Sequence, residues 1–215
     1  MGRHESVAAV LLAAGQSRRM GAFKPLLPFG RRSVVETCVS NLLEAGASEV
    51  VVVVGHRGEE VRAALANETR VRFAVNETEG SEMGLSVARG VEAVSSEASA
   101  ALVALVDHPA VPPSVIKSLV EARTRTGARL VLPVWQGRGG HPVLIDLSLR
   151  EELLSVVRVR GLRALFDAHR DEVLRLPAGT PFVARDMDTW EDYVALHTEV
   201  FGYPPKERRS MNDER

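Results

Sequence analysis

A three-layer α/β fold is predicted for this 215-residue chain by two observations. Unbroken apolar runs recur at residues 7–14, 50–54 and 100–106, each the length of a strand buried on both faces of a sheet. The stretches between them carry apolar residues at helical spacing, as helices do when they cover a parallel sheet.

Residues 7–14 read as the first strand, which empties at Gly15 into a polar loop without apolar periodicity. That loop places Ser17, Arg18, Arg19, Gly21 and Lys24 beyond the carboxyl end of a parallel strand, the edge where open α/β sheets bind ligands. Small residues there can turn backbone N–H groups toward an anion, and the cations add full charge. The same residues also suit an ordinary solvated turn. Their spacing fits neither the G-x-G-x-x-G loop nor the Walker loop.

Val34, Val35, Cys38, Val39, Leu42 and Leu43 recur as one face of a helix that stops at Gly46. Five valines, residues 50–54, form the second strand, and Gly55, His56 and Arg57 turn the chain into a helix through Val61 and Leu65. Residues 71–75 read as a strand, 84–94 as a helix and 100–106 as the next strand, which ends at Asp107-His108-Pro109. Pro112 and Pro113 open a helix through Ile116, Leu119 and Val120, and residues 129–133 give a fifth strand.

After Trp135 the alternation breaks. A flexible Gly-rich loop is expected over residues 136–142, short strands at 143–145, 173–176 and 182–184, and a short helix at 162–168, together forming a small lobe. Asp188 and Thr189 lead into a last helix carrying Tyr193, Leu196 and Val200. Residues 1–205 are expected to form one domain, and the almost wholly polar residues 206–215 a disordered tail.

Hydrophobic residues make up 45% and charged residues 26%, as in a soluble globular protein. With 27 basic against 28 acidic residues there is no positive surplus to attract nucleic acid or an anionic membrane, so any phosphate-binding cations must be local. No run of eighteen apolar residues and no basic leader before an apolar core are present, which predicts a cytoplasmic protein. The myristoylation-like pattern of Met1, Gly2 and Ser6 and the sequons at Asn67 and Asn76 are then chance matches. The single cysteine, Cys38, excludes an internal disulfide and a thiolate metal cluster, and reads as a small buried helix residue.

Two carboxylate positions could carry chemistry. Asp107 sits just past a central strand, where it could bind a metal ion, cap the helix that follows or turn the chain. Asp186 and Asp188 precede the last helix, and Asp188 could also be its N-cap, with Glu191 completing a capping box. His141, in Gly139-Gly140-His141-Pro142, is either a hydrogen-bonded structural residue or part of a binding loop, and His56 has a similar position.

The stretch Leu12-Ala13-Ala14-Gly15-Gln16-Ser17-Arg18-Arg19-Met20-Gly21, followed by Lys24 and Leu26-Leu27-Pro28, resembles the L-A-A-G-x-S-x-R-M-G-x-x-K-x-L-L-P signature of MobA-like nucleotidyltransferases, in their molybdenum cofactor cytidylyltransferase branch. The resemblance implies a Rossmann-like αβα nucleotidyltransferase domain with a small acceptor-side lobe. It also implies that Leu12, Ala13, Ala14, Gly15, Ser17 and Arg19 hold the nucleotide and that Lys24 neutralises charge at the α-phosphate. Asp107-His108-Pro109 is similar to the family's D-Q-P, whose Asp binds Mg²⁺; His108 replaces Gln and leaves the hydrogen bonding there open. Asp186-Met187-Asp188-Thr189 with Glu191-Asp192-Tyr193 resembles D-I-D-T-P-E-D-Y, which implies Asp188 as the second Mg²⁺ ligand and Asp186 as its alternate.

Gly140 and His141 match the family's acceptor segment, and Ser86 its nucleotide contact, although Glu82 stands where that segment has glycine. The guanylyl branch reads L-A-G-G and R-M-G-G-x-D-K, so Ala14 and the shorter spacing to Lys24 point to CTP over GTP. What the resemblance implies is transfer of CMP from CTP to the terminal phosphate of molybdopterin or molybdenum cofactor, with pyrophosphate released and a molybdenum hydroxylase or dehydrogenase as eventual partner. Guanylyl transfer, a sugar-phosphate or phospholactate acceptor, and a non-catalytic cofactor carrier remain as alternatives.

Overall fold

The computed structural model describes residues 6–78 and 83–205. Glu82 and the tail at 206–215 therefore lie outside the described residues, as do Met1 and Gly2. Strand β1 (Ser6–Leu12) leads through the polar loop to a small hairpin, β2 (Pro28–Phe29) and β3 (Arg32–Ser33). Helix α1 (Val34–Glu44) starts on a capping box, in which Glu36 Oε2 accepts from the Ser33 N–H at 2.7 Å and the Ser33 hydroxyl accepts from the Glu36 N–H at 3.4 Å.

Strand β4 (Glu49–Val54), helix α2 (Gly58–Ala64), strand β5 (Val71–Val75), helix α3 (Met83–Ala93), strand β6 (Ala98–Leu105) and helix α4 (Pro113–Thr126) continue the predicted alternation. Beyond them come β7 (Leu130–Trp135), β8 (Arg138–Gly139), β9 (Val143–Asp146), α5 (Arg150–Ala168), β10 (Val173–Pro177) and α6 (Trp190–Phe201). The main sheet runs β5-β4-β1-β6-β9-β7-β10, with β8 attached to β7. β1 pairs in parallel with β4 and β6, and Leu12 is level with both Val53 and Leu105. The carboxyl ends of these three strands therefore open on one edge of the sheet. α1, α4 and α6 cover one face, while α3 and α5 cover the other.

The second half departs from the expected pattern. The sheet is mixed, because the crossover through α4 leaves a gap between β6 and β7 that β9 fills antiparallel to both. Residues 136–142 are not a slack loop: Gln136 and Gly137, both at positive φ, turn a hairpin that pairs β8 with β7. The helix expected at 162–168 is the second part of the longer α5, which breaks at Gly161. Residues 182–184 form no strand; Pro181–Ala184 is a 3₁₀ turn that Pro181 opens and the Thr180 side chain caps. Cys38 is buried on α1 as expected, and burial pushes its thiol pKa far up. Among the described residues no helix is long and apolar enough to cross a membrane.

α3 lies against the central strands through Gly90. A Cβ there would stand 2.2 Å from Val10 Cγ1 and 2.9 Å from Val53 Cγ2, on stiff β-branched side chains. Gly90→Ala is accordingly expected to cost about 1–3 kcal/mol and to lower Tm by several degrees in a thermal melt. An unchanged Tm would mean that α3 can shift freely over the sheet.

Candidate active site

Because β1, β4, β5 and β6 end together, four loops converge on one edge: residues 13–24 after β1, Gly55 to Arg57 after β4, Asn76 after β5, and Asp107 after β6. Ser17 takes a left-handed conformation (φ 53°), and its hydroxyl accepts a hydrogen bond from the Lys24 N–H at 3.0 Å. This folds the polar loop back on itself and turns Lys24 inward. The Lys24 side chain is only 9% exposed, an unusual state for a lysine without partners.

Its partners are two carboxylates from distant parts of the chain. The Lys24 ammonium lies 3.4 Å from Asp107 Oδ2 and 3.2 Å from Asp188 Oδ1, while Arg19 meets Asp188 Oδ2 at 2.8 Å. Asp107 does not cap α4, whose N-cap is Pro112 without a side-chain bond. Nor does Asp188 cap α6: Thr189 is the N-cap and Asp192, not Glu191, completes the capping box. Both carboxylates are thereby left to face the lysine.

His108 occupies the floor. Its Nε2 is 3.0 Å from Asp186 Oδ1 and its Nδ1 is 3.2 Å from the Phe182 carbonyl. Burial disfavours the imidazolium, but the hydrogen bond to Asp186 and the charges of Asp107 and Asp186 outweigh it and raise the His108 pKa. Asp186 is held below the usual carboxylate range chiefly by that same hydrogen bond. The ring of His141 stands 5.8 Å from that of His108, and burial followed by the neighbouring His108 charge lowers its pKa. The two shifts run in opposite directions, so the imidazolium is favoured more at His108 than at His141.

Two cavities flank this cluster. One of about 770 Å³ lies over the ends of β1, β4 and β5 and is bounded by Ala14, Ser17, Gly55, His56, Asn76 and Ser86. The other, about 830 Å³, lies between the β7–β10 half of the sheet and α5, with Gly140 and His141 on its wall. Ser17 on the first, Lys24 and Asp107 in the middle, and His108 and His141 toward the second form a continuous line of contacts.

The donor set fits a divalent cation that is also held by phosphate. Asp107 and Asp188 direct hard oxygen donors at one point, and Asp107 Oδ1 is a buried polar atom with no hydrogen-bond partner. His108 Nε2 is 3.7 Å from that oxygen, too far for a hydrogen bond. Among the described residues no group of three or more His, Cys, Asp or Glu could hold a metal by itself. Two carboxylates are what Mg²⁺ takes when phosphate oxygens and water complete its octahedron.

The structure thus brings together Arg19, Lys24, Asp107 and Asp188, and ties Asp186 to His108 instead. Leu12 and Ala13 are buried beneath the loop, Ala14 and Ser17 reach the first cavity, and Gly15 has open space where a Cβ would point. Ser86 is buried, its hydroxyl receiving Asn76 Nδ2 at 2.8 Å. Gly140 has a packing reason of its own, since a Cβ would stand 2.1 Å from the Val183 carbonyl oxygen. Sequence reading missed Asn76, which carried only a sequon. Its position directly after β5 was the available signal.

Residues 9–173 match the family described as the MobA-like NTP transferase domain. The chain is 36% identical to the nicotine blue oxidoreductase of Paenarthrobacter nicotinovorans, over 70% of this chain and 76% of that protein. It is 33% identical to a probable molybdenum cofactor guanylyltransferase of Mycolicibacterium paratuberculosis (88% and 94% covered). It is 25% identical to the molybdenum cofactor cytidylyltransferase of Escherichia coli (91% and 99% covered). Among solved structures, Rv0371c of Mycobacterium tuberculosis superposes with a TM-score of 0.77 at 26% identity, covering 89% of this chain and 97% of that one.

Proposed function

Because the chain belongs to the MobA-like NTP transferase domain family, we propose that it transfers a nucleotidyl group from a nucleoside triphosphate to the terminal phosphate of molybdopterin or its molybdenum form. The observation that carries this reading is the Lys24 ammonium between Asp107 and Asp188, joined through Ser17 to one cavity and through His108 and His141 to another, each large enough for a nucleotide or an acceptor. An oxygen of the acceptor phosphate forms a bond to the α-phosphorus, the bond from that phosphorus to the bridging oxygen breaks, and pyrophosphate leaves. A phosphate monoester is already an anionic nucleophile, so no protein nucleophile is required. Lys24 and Arg19 offset the charge that gathers at the phosphates, and the folded loop aligns them. Asp107 and Asp188 would hold Mg²⁺, which supplies charge neutralisation when bound. The test is to screen nucleotides against molybdopterin, detecting the product by mass together with pyrophosphate. A carrier would release none, and a sugar enzyme would release it with sugar phosphates alone.

For the donor we propose CTP. The Ala14 methyl stands beside Gly55 on the wall of the first cavity, where a Cβ built on Gly55 would come within 3.3 Å of it. That leaves less room for a purine than a glycine would. Discrimination on the order of 10-fold or more in kcat/KM for CTP over GTP is expected with the same acceptor, shrinking in Ala14→Gly. The 33% identity to a guanylyltransferase favours GTP as the second reading, and equal values or a GTP preference would establish it. Redox turnover of nicotine blue without pyrophosphate release would instead align the chain with its 36% identical relative.

A further inference from the structure

Helix α1 supplies none of the four charged groups of the carboxylate–lysine cluster, yet it is hydrogen-bonded to both turns that carry Lys24 and Asp107. At its start the Val34 N–H donates to the Leu27 carbonyl at 2.9 Å, and the Leu27 N–H donates in turn to the Lys24 carbonyl at 3.2 Å. Two turns further along, Asn41 Nδ2 donates to the carbonyl of Pro109 at 3.1 Å and to that of Val111 at 3.0 Å. On the same helix face, one turn earlier, Cys38 Sγ lies 3.7 Å from the Val106 carbonyl oxygen. Asn is a poor residue for a helix interior, so these two bonds account for an amide at a position beside the buried Cys38 and Leu42.

The turn that Asn41 holds, residues 106–111 between β6 and α4, is mostly buried and belongs to neither element. Its internal bonds run from the His108 N–H to the Leu105 carbonyl at 3.2 Å and from the Val111 N–H to the His108 carbonyl at 3.3 Å. The carbonyls of Pro109 and Val111 take no part in these, and a buried carbonyl without a donor is costly. The two protons on Asn41 Nδ2 meet that need, one for each oxygen. Asp107 lies inside the turn held in this way. Its Oδ1 has no hydrogen-bond partner and its Oδ2 has only the long 3.4 Å contact to Lys24, so the direction of the carboxylate is set by the backbone that carries it.

We propose that Asn41 is a positioning residue: its amide fixes the 106–111 turn and thereby keeps the Asp107 carboxylate facing Lys24 and Asp188, where the two acids share a divalent cation bound with the nucleotide. The inference rests on the reading of Asp107 and Asp188 as the metal-holding pair. Asn41 acts through the turn and touches neither substrate nor metal.

The experiment measures, by calorimetry on the full chain, the Kd of CTP or GTP, whichever binds more tightly, with and without Mn²⁺. The ratio of the two values reports the metal held jointly by protein and nucleotide. In Asn41→Leu, which keeps a side chain of similar length without donors, this ratio is expected to fall about tenfold or more, while the Kd without metal changes less than twofold. Asn41→Ala, which adds no bulk and suits a helix, should do the same and serves if the leucine variant does not fold. Gly90→Ala is the control for lost stability, since it loosens α3 on the other face of the sheet and should keep the wild-type ratio. A wild-type ratio in the Asn41 variants, or an equal fall in Gly90→Ala, overturns the proposal while the metal reading stands. Wild-type protein that binds neither nucleotide, or binds it no more tightly with Mn²⁺, overturns the metal reading and the proposal with it. If the ratio falls as expected but no pyrophosphate is released with any nucleotide and acceptor, Asn41 keeps its role and the transferase reading falls.

Discussion

Asp107→Asn is expected to abolish turnover, with kcat lowered on the order of a thousandfold or more, while the protein melts within about a degree of the wild type. The substitution keeps the size and shape of the side chain. Asp107 Oδ1 has no hydrogen-bond partner to lose, and its other oxygen meets Lys24 at 3.4 Å, a long contact that Asp188 duplicates at 3.2 Å. The fold therefore gains little from the charge. Under the proposed function turnover depends on it much more, because one of the two carboxylates that face Lys24 becomes a neutral amide. The check is pyrophosphate release over a Mg²⁺ titration alongside a thermal melt. A steeply raised Mg²⁺ requirement is the expected signature, and unchanged release at low Mg²⁺ would remove Asp107 from the metal site.

The near-neutral effect on folding sets Asp107 apart from Asp146, another acid at a strand end. Asp146 is 2.6 Å from a mostly buried Arg123 and accepts from the Ser148 N–H at 2.9 Å. Burial alone would raise its pKa, but the bonds from Ser148 and Arg123 outweigh that and hold it below the usual range. A carboxylate whose oxygens are all engaged by the fold is a structural one. Asp107, with an oxygen held buried and unengaged, is available for chemistry.

How much of this could be read beforehand follows from which physical signals are local. The strands β1, β4 and β6 were legible because burial on both faces writes itself as an unbroken apolar run. β9 was found as a strand, but its direction was not, since four residues carry no mark of orientation and only the gap between β6 and β7 decides it. The full length of α5 was hidden because Arg158, Val159, Arg160 and Gly161 interrupt any apolar face, and Val159 is 78% exposed. In the site, the loop from Gly15 to Lys24 is contiguous and was visible. The contact of Lys24 with Asp188 joins residues 164 positions apart and becomes visible only when the chain is folded. His108 was noticed as a departure from a motif. Its engagement with Asp186, which frees Asp188 for the lysine, could not be read from either segment separately.

Lys24→Ala is expected to lower kcat by about 10²–10³-fold while changing the nucleotide KM less than tenfold. The ammonium is mostly buried, fixed by the Ser17-bonded loop and positioned between two carboxylates, so it is pre-oriented before any substrate arrives. In the proposed reaction a charge held in this way gains most where negative charge concentrates at the α-phosphorus during transfer, and less from a ground-state triphosphate. Removing it leaves Asp107 and Asp188 without their shared cation. Arg19 still meets Asp188 at 2.8 Å, so some loss of stability is expected and should be read separately in a melt. Lys24→Met provides the control, because it keeps a long unbranched side chain in the same space without the charge. If Lys24→Met is as slow as Lys24→Ala, the charge and not the packing is responsible. A pure KM effect in both variants would confine Lys24 to ground-state binding, and recovery of kcat in Lys24→Met would show that its role is to fill the loop.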